Sequence, residues 1–219
     1  MNQALRWIGP LIGLVVAAII VSRWHINGLG SLVWLGMAIG ISVIRAPFAK
    51  RSAANTIIDQ RATGIERVLL AMVAIGGTIL PAIHLATGVL GFANYTLPAW
   101  TAALAVLLLI PTLWLFWRSH ADLGRNWSVT TELREEQTLV TSGVYTRIRH
   151  PMYAAIWLFF LLQPLVVHNW IAGFVGPIAF AVLYFVRVPY EEAMMRDCFA
   201  DEYIEYCRQT GRVLPKMSK

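Results

Sequence analysis

The chain has 219 residues, 58% of them hydrophobic and 14% charged, with a mean hydropathy of +0.60 and a formal net charge of +6. A soluble domain carries about a quarter charged residues, so the composition excludes an ordinary globular enzyme and fits a set of membrane helices. The basic residues are spread along connecting segments, which points to membrane topology and away from a nucleic-acid partner.

Six apolar segments follow one another, at residues 7–22, 29–44, 67–86, 98–117, 152–167 and 170–187. They are judged against about 20 residues for a spanning helix. The first follows Arg6 and ends in Ile20-Val21-Ser22-Arg23, without a small-x-small cleavage site. It is expected to be an uncleaved helix, not a signal peptide. The fifth and sixth are joined only by His168-Asn169, which forces an antiparallel hairpin. With the N-terminus in the cytoplasm and six crossings, every Lys and Arg except Arg23 falls on the cytoplasmic side. Both termini are therefore expected there.

The segments 118–150 and 187–219 then share the cytoplasmic face and flank the hairpin. From Tyr190 to Arg208, apolar residues such as Met194, Cys198, Tyr203 and Tyr206 alternate with charges at helical spacing. This predicts an amphipathic helix on the membrane surface or capping the bundle, ended by Gly211 and Pro215. The tryptophans cluster near segment ends, as an aromatic belt would. Cys198 and Cys207 fit no metal or disulfide spacing and are expected to be reduced packing residues. No Cys/His cluster suggests a metal, and no glycine-rich phosphate loop is present.

Two constellations stand out. Arg187 and Glu191 lie four apart where the last apolar segment ends, and share a face on a continuous helix. An interfacial salt bridge explains them as readily as a ligand does, and the intervening Pro189 predicts a bend. Ser142 to Tyr153 gathers Arg147, Arg149, His150 and two tyrosines at the mouth of the fifth segment. Topology accounts for its arginines, and Pro151 suits a first helical turn. Gly143 can bring the backbone close to a ligand.

Taken in order, these segments carry a more specific signal. Leu123-Gly124-Arg125-Asn126-Trp127-Ser128 precedes Leu139-Val140-Thr141-Ser142-Gly143-Val144-Tyr145 and then Arg149-His150-Pro151-Met152-Tyr153. After the hairpin come Arg187, Glu191 and Glu192, then Phe199-Ala200-Asp201-Glu202-Tyr203-Ile204-Glu205-Tyr206. The set resembles the isoprenylcysteine carboxyl methyltransferase family of integral membrane methyltransferases. The first three spans carry no such signal, so the chain divides into N-terminal helices (1–97) and a methyltransferase core (98–219).

The resemblance, joined to the hydropathy, implies an all-α polytopic membrane bundle of about six spans with a cytoplasmic cofactor pocket and a C-terminal amphipathic helix. It implies that S-adenosylmethionine is held by Gln137, Thr138, Leu139, Val140, Tyr145, His150, Pro151, Met152, Tyr153 and Glu191, with an upstream polar position near Thr130. It places Arg187 on the substrate side. The substrate implied is a lipophilic or lipidated molecule from the bilayer, methylated on a carboxyl group.

The residue types suit that chemistry. Glu191 can pair with the cofactor's ammonium, and Tyr145 or Tyr153 can face its sulfonium. Arg187 can grip an ionised carboxylate, which needs no general base. A thiol, an amine or a phospholipid headgroup as acceptor is the alternative, and a thiol or amine needs a base, from Glu192 or His150. The rival readings are a sterol-reductase-like NADPH enzyme and a non-enzymatic transporter or scaffold. Reductases of that type usually place Gly-Glu after the Arg-His-Pro-x-Tyr stretch, where this chain has Ala154-Ala155. A transporter would carry charges within its spans, and here there are almost none.

Overall fold

The computed structural model describes residues 5–52, 57–60, 64–128, 132–134 and 138–216. Helix α1 (Leu5–Ser22) is followed by a single turn, α2 (Trp24–Asn27), and by α3 (Leu29–Ser52). Helix α4 (Gly64–Ala74) continues through a π-helical turn, Ile75–Ile79, into α5 (Leu80–Thr87). Helices α6 (Trp100–Leu123), α7 (Pro151–Val167) and α8 (Trp170–Gln209) follow. One feature was absent from the hydropathy reading. Strands β1 (Ile57–Gln60) and β2 (Glu132–Arg134) pair antiparallel, tying two polar segments together.

Among the described residues, four stretches are long and apolar enough to cross a membrane: Leu29–Arg51, Gly64–Thr87, Trp100–Leu123 and the apolar part of Trp170–Gln209. Gly9–Ser22 and Pro151–Val167 are shorter apolar helices. The outer surface bears out this composition. Leu14, Val43, Ile65, Leu107, Ile110 and Phe185 are each more than half exposed, a face that only lipid would solvate. Helix α7 lies between α6 and α8, with α3 against α6 and α7 and with α4 against α8.

The His168-Asn169 link makes the expected hairpin. His168 takes a left-handed conformation (φ 51°) and Asn169 caps α8, its Oδ1 accepting from Ile171 N and Ala172 N at 3.0 and 2.9 Å. Its Nδ2 donates to Leu90 O and Asn94 Oδ1, docking the charge-free 87–97 loop on the turn. Arg23 lies against Gly88 in the same region.

Of the two placements expected for the C-terminal amphipathic segment, on the membrane surface or capping the bundle, the structure shows the second, with the segment joined to α8, which runs on to Gln209. The backbone stays helical at Pro189 and departs from helical angles at Ala200 (φ 42°, ψ −120°). Beyond that break, Tyr203 and Tyr206 are buried against the bundle. Cys198 is exposed, not packed, and neither cysteine forms a disulfide.

Candidate functional site

A cavity of about 420 Å³ opens among the loops between α6 and α7 and runs down between the helices. One wall is polar. Asn126 follows α6 and exchanges two hydrogen bonds with Thr138: Nδ2 donates to Oγ1 at 3.2 Å and the Thr138 N–H donates to Oδ1 at 3.1 Å. That pair sets Thr138, Leu139 and Val140 along the cavity. Gln137 and Thr130, also expected at the cofactor, lie outside the described residues, and of Arg125 only the backbone is described.

Tyr145 sits on the 3₁₀ turn Gly143–Thr146 and is buried. Its hydroxyl donates to Ser119 O at 3.1 Å, and its own carbonyl accepts from the Tyr206 hydroxyl at 2.7 Å. Burial above all, then the Tyr206 phenol and Asp122, pushes the Tyr145 hydroxyl far above its ordinary pKa. It is a neutral donor under all physiological conditions.

Gly143 is required for a reason other than the expected one. It has φ +62°, and a Cβ there would overlap the Asp122 carboxylate. Asp122 accepts from Val144 N at 2.9 Å and pairs with Arg118 at 2.6 Å. The close approach seen here is to this carboxylate, which anchors the turn.

His150, Met152 and Tyr153 line the cavity from the start of α7, whereas Pro151 is buried at its first turn. Pro151 therefore positions its neighbours by fixing where the helix begins. Across the cavity, Arg187 and Glu191 form a closed pair, Nε to Oε1 at 2.7 Å, and the Tyr153 hydroxyl donates to the same oxygen at 2.7 Å. Glu191 Oε2 faces His150 Nδ1 at 3.9 Å, and Arg187 Nη1 also meets Glu66 at 3.4 Å. Arg187 is thus held between two carboxylates.

Glu192 does not fit the role of base. It sits in a cluster of cations, and it is buried. Arg149 Nε lies 2.9 Å from Oε1, His150 Nε2 lies 3.3 Å from it, and Arg212 holds both oxygens at 3.0 and 2.7 Å. Burial would raise this carboxyl, but hydrogen bonds from His150, Arg212 and Arg149 outweigh it and hold it well below the usual carboxylate range. A carboxylate so stabilised is a poor proton acceptor.

The same cluster ties the tail to the loop before α7. Gly211 N donates to Arg147 O, Arg149 N to Gly211 O, His150 N to Arg212 O, and Arg149 Nη1 to Thr210 O. The tail is thereby laced to the segment that leads into α7, and Tyr203 and Tyr206 roof the cavity.

The rest of the cavity is mostly apolar and comes from both sides of residue 97. Helix α3 supplies Trp34, Met37 and Ile41, α4 supplies Leu70 and Val73, and α8 supplies Phe180 and Leu183. Trp34 and Trp127 are therefore buried wall residues, not members of the interfacial belt. Arg45, read from sequence as a topology cation, lies over the Trp127 ring at 5.4 Å and lines the cavity. Trp127 Nε1 in turn donates to Met152 Sδ at 3.2 Å.

Comparison with known proteins bears on the same part of the chain. Residues 103–197 match the model of the Isoprenylcysteine carboxyl methyltransferase (ICMT) family. The chain is 32% identical over 98 residues to protein-S-isoprenylcysteine O-methyltransferase B of Arabidopsis thaliana, covering 42% of this chain and 48% of that one. It is 32% identical over 111 residues to the cobalt-zinc-cadmium resistance protein CzcN of Cupriavidus metallidurans, covering 50% and 51%. The protein-S-isoprenylcysteine O-methyltransferase of Mus musculus is 28% identical over 118 residues, covering 53% and 42%. The chain thus spans about half the length of the curated relatives it matches. The solved structure of the eukaryotic intramembrane Ras methyltransferase ICMT shares the fold, with a TM-score of 0.53 over 92% of this chain and 74% of that one, at 17% identity. Residues 103–197 are therefore similar to the isoprenylcysteine carboxyl methyltransferase family, and the fold is that of the eukaryotic ICMT structure.

Proposed function

We propose that this protein transfers a methyl group from S-adenosylmethionine to a lipophilic carboxylate of the isoprenylcysteine type, drawn from the bilayer. The observation that carries the reading is the cavity itself: one continuous space joins a polar wall to an apolar channel, with Arg187 and Glu191 at their junction.

The residues present suit the cofactor. Glu191 offers an anionic oxygen to its ammonium, while the backbone of residues 138–140 and the ring of Tyr145 offer donors, acceptors and an aromatic face. When bound, S-adenosylmethionine supplies an electrophilic methyl on sulfur, and what the chain adds is position and dryness. Arg187 orients the acceptor carboxylate with its guanidinium fork, sharing that cation with Glu66 and Glu191. Such an acceptor is already ionised at neutral pH, so no base is required. Glu192 then acts at a distance, holding Arg149, His150 and the tail in register.

The cofactor reaches the polar wall from the cytoplasm, where both termini also lie, and the acceptor enters laterally between helices. Calorimetry on the protein in nanodiscs tests the reading. S-adenosylmethionine and its demethylated product should bind, and NADPH should not. The reading fails if neither sulfur compound binds.

A further inference from the structure

Among the described residues, three arginines line the cavity: Arg45, Arg149 and Arg187. Two of them are already matched to carboxylates. Arg149 meets Glu192 at 2.9 Å, and Arg187 is shared between Glu191 at 2.7 Å and Glu66 at 3.4 Å. Arg45 meets no described carboxylate, and its guanidinium carbon lies 5.4 Å from the centre of the Trp127 ring. An aromatic face engages the flat of a guanidinium and leaves its edge N–H donors open.

This is not the setting of an ordinary boundary cation. Lys50 and Arg51, further along α3, are exposed, whereas Arg45 is half-buried and turned to the cavity. An ionisable side chain within a spanning helix such as Leu29–Arg51 is costly unless it pairs or serves a ligand. Trp127 also connects Arg45 to the junction where Arg187 and Glu191 meet. Its Nε1 donates to Met152 Sδ, and Tyr153, next along α7, donates to the Glu191 oxygen that Arg187 holds.

Charge completes the argument. A carboxylate that reaches Arg187 meets one cation already divided between two anions. With the cofactor's ammonium on Glu191, Arg187 is still balanced by Glu66, so it can orient an arriving anion but not neutralise it. Arg45 is the cavity cation whose charge is uncommitted.

We propose that Arg45 recognises the carboxylate of the acceptor, its guanidinium backed by Trp127 and its edge N–H donors clamping the group against Arg187. It makes the site selective for an ionised acid over a neutral molecule of the same shape. The inference rests on the reading above, in which a lipophilic carboxylate is the acceptor. It gives α3, which lies outside residues 103–197, a part in choosing the substrate.

Equilibrium binding to the protein in nanodiscs, with empty nanodiscs subtracted, tests this. The probes are N-acetyl-S-farnesylcysteine and its carboxamide, which keeps the chain and loses the charge. The wild type should bind the acid about tenfold more tightly than the amide, the worth of a charged hydrogen bond. Arg45→Met should bring the two affinities close together by weakening the acid alone, with S-adenosylmethionine affinity unchanged by calorimetry. Arg45→Gln, polar but uncharged, decides the matter where Arg45→Met fails to fold. Equal binding of acid and amide by the wild type overturns the assignment, and so does an unchanged ratio in the variant. Loss of S-adenosylmethionine affinity with the ratio kept gives Arg45 to the cofactor's carboxylate and overturns it too. Each of these outcomes leaves the methyl-transfer reading standing. Binding of S-adenosylmethionine with no binding of either probe overturns both the assignment and the lipophilic acceptor. A preference for the acid that disappears with Arg45, in a protein that binds no S-adenosylmethionine, upholds the assignment and overturns the methyltransferase.

Discussion

Glu192 grips Arg212 with both carboxylate oxygens, at 3.0 and 2.7 Å, and so pins the end of the chain to the middle of its last helix. The same carboxylate takes Arg149 and His150, which belong to the wall of the cavity. One buried anion therefore joins the roof to the site it covers.

Replacing Glu192 with Ala should destabilise the protein by about 3 kcal/mol or more, because Arg149 is left nearly buried without its counter-charge. Thermal unfolding in detergent measures this. The pH dependence has a defined sign. The folded-state pKa of Glu192 is depressed, so its stabilisation is complete above the ordinary carboxylate range and is lost as pH falls towards the folded value. Glu192→Gln should flatten the acid limb of a stability-against-pH curve. An unchanged acid limb would show that other carboxylates govern it.

Arg187 and Glu191 should separate in their effects despite touching. Glu191→Gln keeps an acceptor for Tyr153 but removes the charge, and should weaken S-adenosylmethionine binding at least tenfold, the worth of a charged hydrogen bond. Arg187→Ala should leave cofactor affinity within a few-fold and abolish turnover with a carboxylate acceptor. Loss of cofactor affinity in the Arg187 variant would reverse this division of roles.

Asn126→Ala removes both bonds to Thr138 and frees the start of the cofactor wall. Its dissociation constant for S-adenosylmethionine should rise several-fold, while unfolding temperature changes little, since each bond is partly exposed and worth about 1 kcal/mol. A large loss of thermal stability with normal affinity would assign Asn126 to folding alone.

Gly143→Ala should be severe for its size. The added methyl meets the Asp122 carboxylate, and φ +62° is strained for alanine. The turn bearing Tyr145 would shift, so lower stability and weaker cofactor binding are expected together. Asp122→Ala in the same chain should relieve the collision and recover part of the loss.

Much of this was readable from the residues. Apolar runs located the long helices because lipid imposes length and composition on any segment that crosses it, and the His168-Asn169 link allowed only a hairpin. Thr138, Leu139, Val140, Tyr145, His150, Met152, Tyr153, Arg187 and Glu191 do come together around one cavity. What stayed hidden depended on contacts distant in sequence. Arg45 and Glu66 look like ordinary charges at helix ends until α3 and α4 fold against α7 and α8. Trp127 looks interfacial until Met152 and Arg45 enclose it. The Glu191-Glu192 pair offered two adjacent acids, and only packing shows that they part company around His150, one meeting Arg187 and Tyr153 and the other Arg149 and Arg212. The placement of the helix break at Ala200 instead of Pro189 has the same origin: proline lowers the cost of a bend but does not demand one.

That uninterrupted passage through Pro189 has a consequence for the chemistry. Arg187 and Glu191 are separated by four residues of unbroken helix, a rise of about 6 Å. In the proposed reaction one of them addresses the acceptor and the other the donor. The gap between the two reactants is then gauged by the pitch of a single helix, a stiff ruler that no loop movement can lengthen. Turnover should accordingly tolerate changes in the loops around the cavity far better than the insertion or removal of one residue between positions 187 and 191.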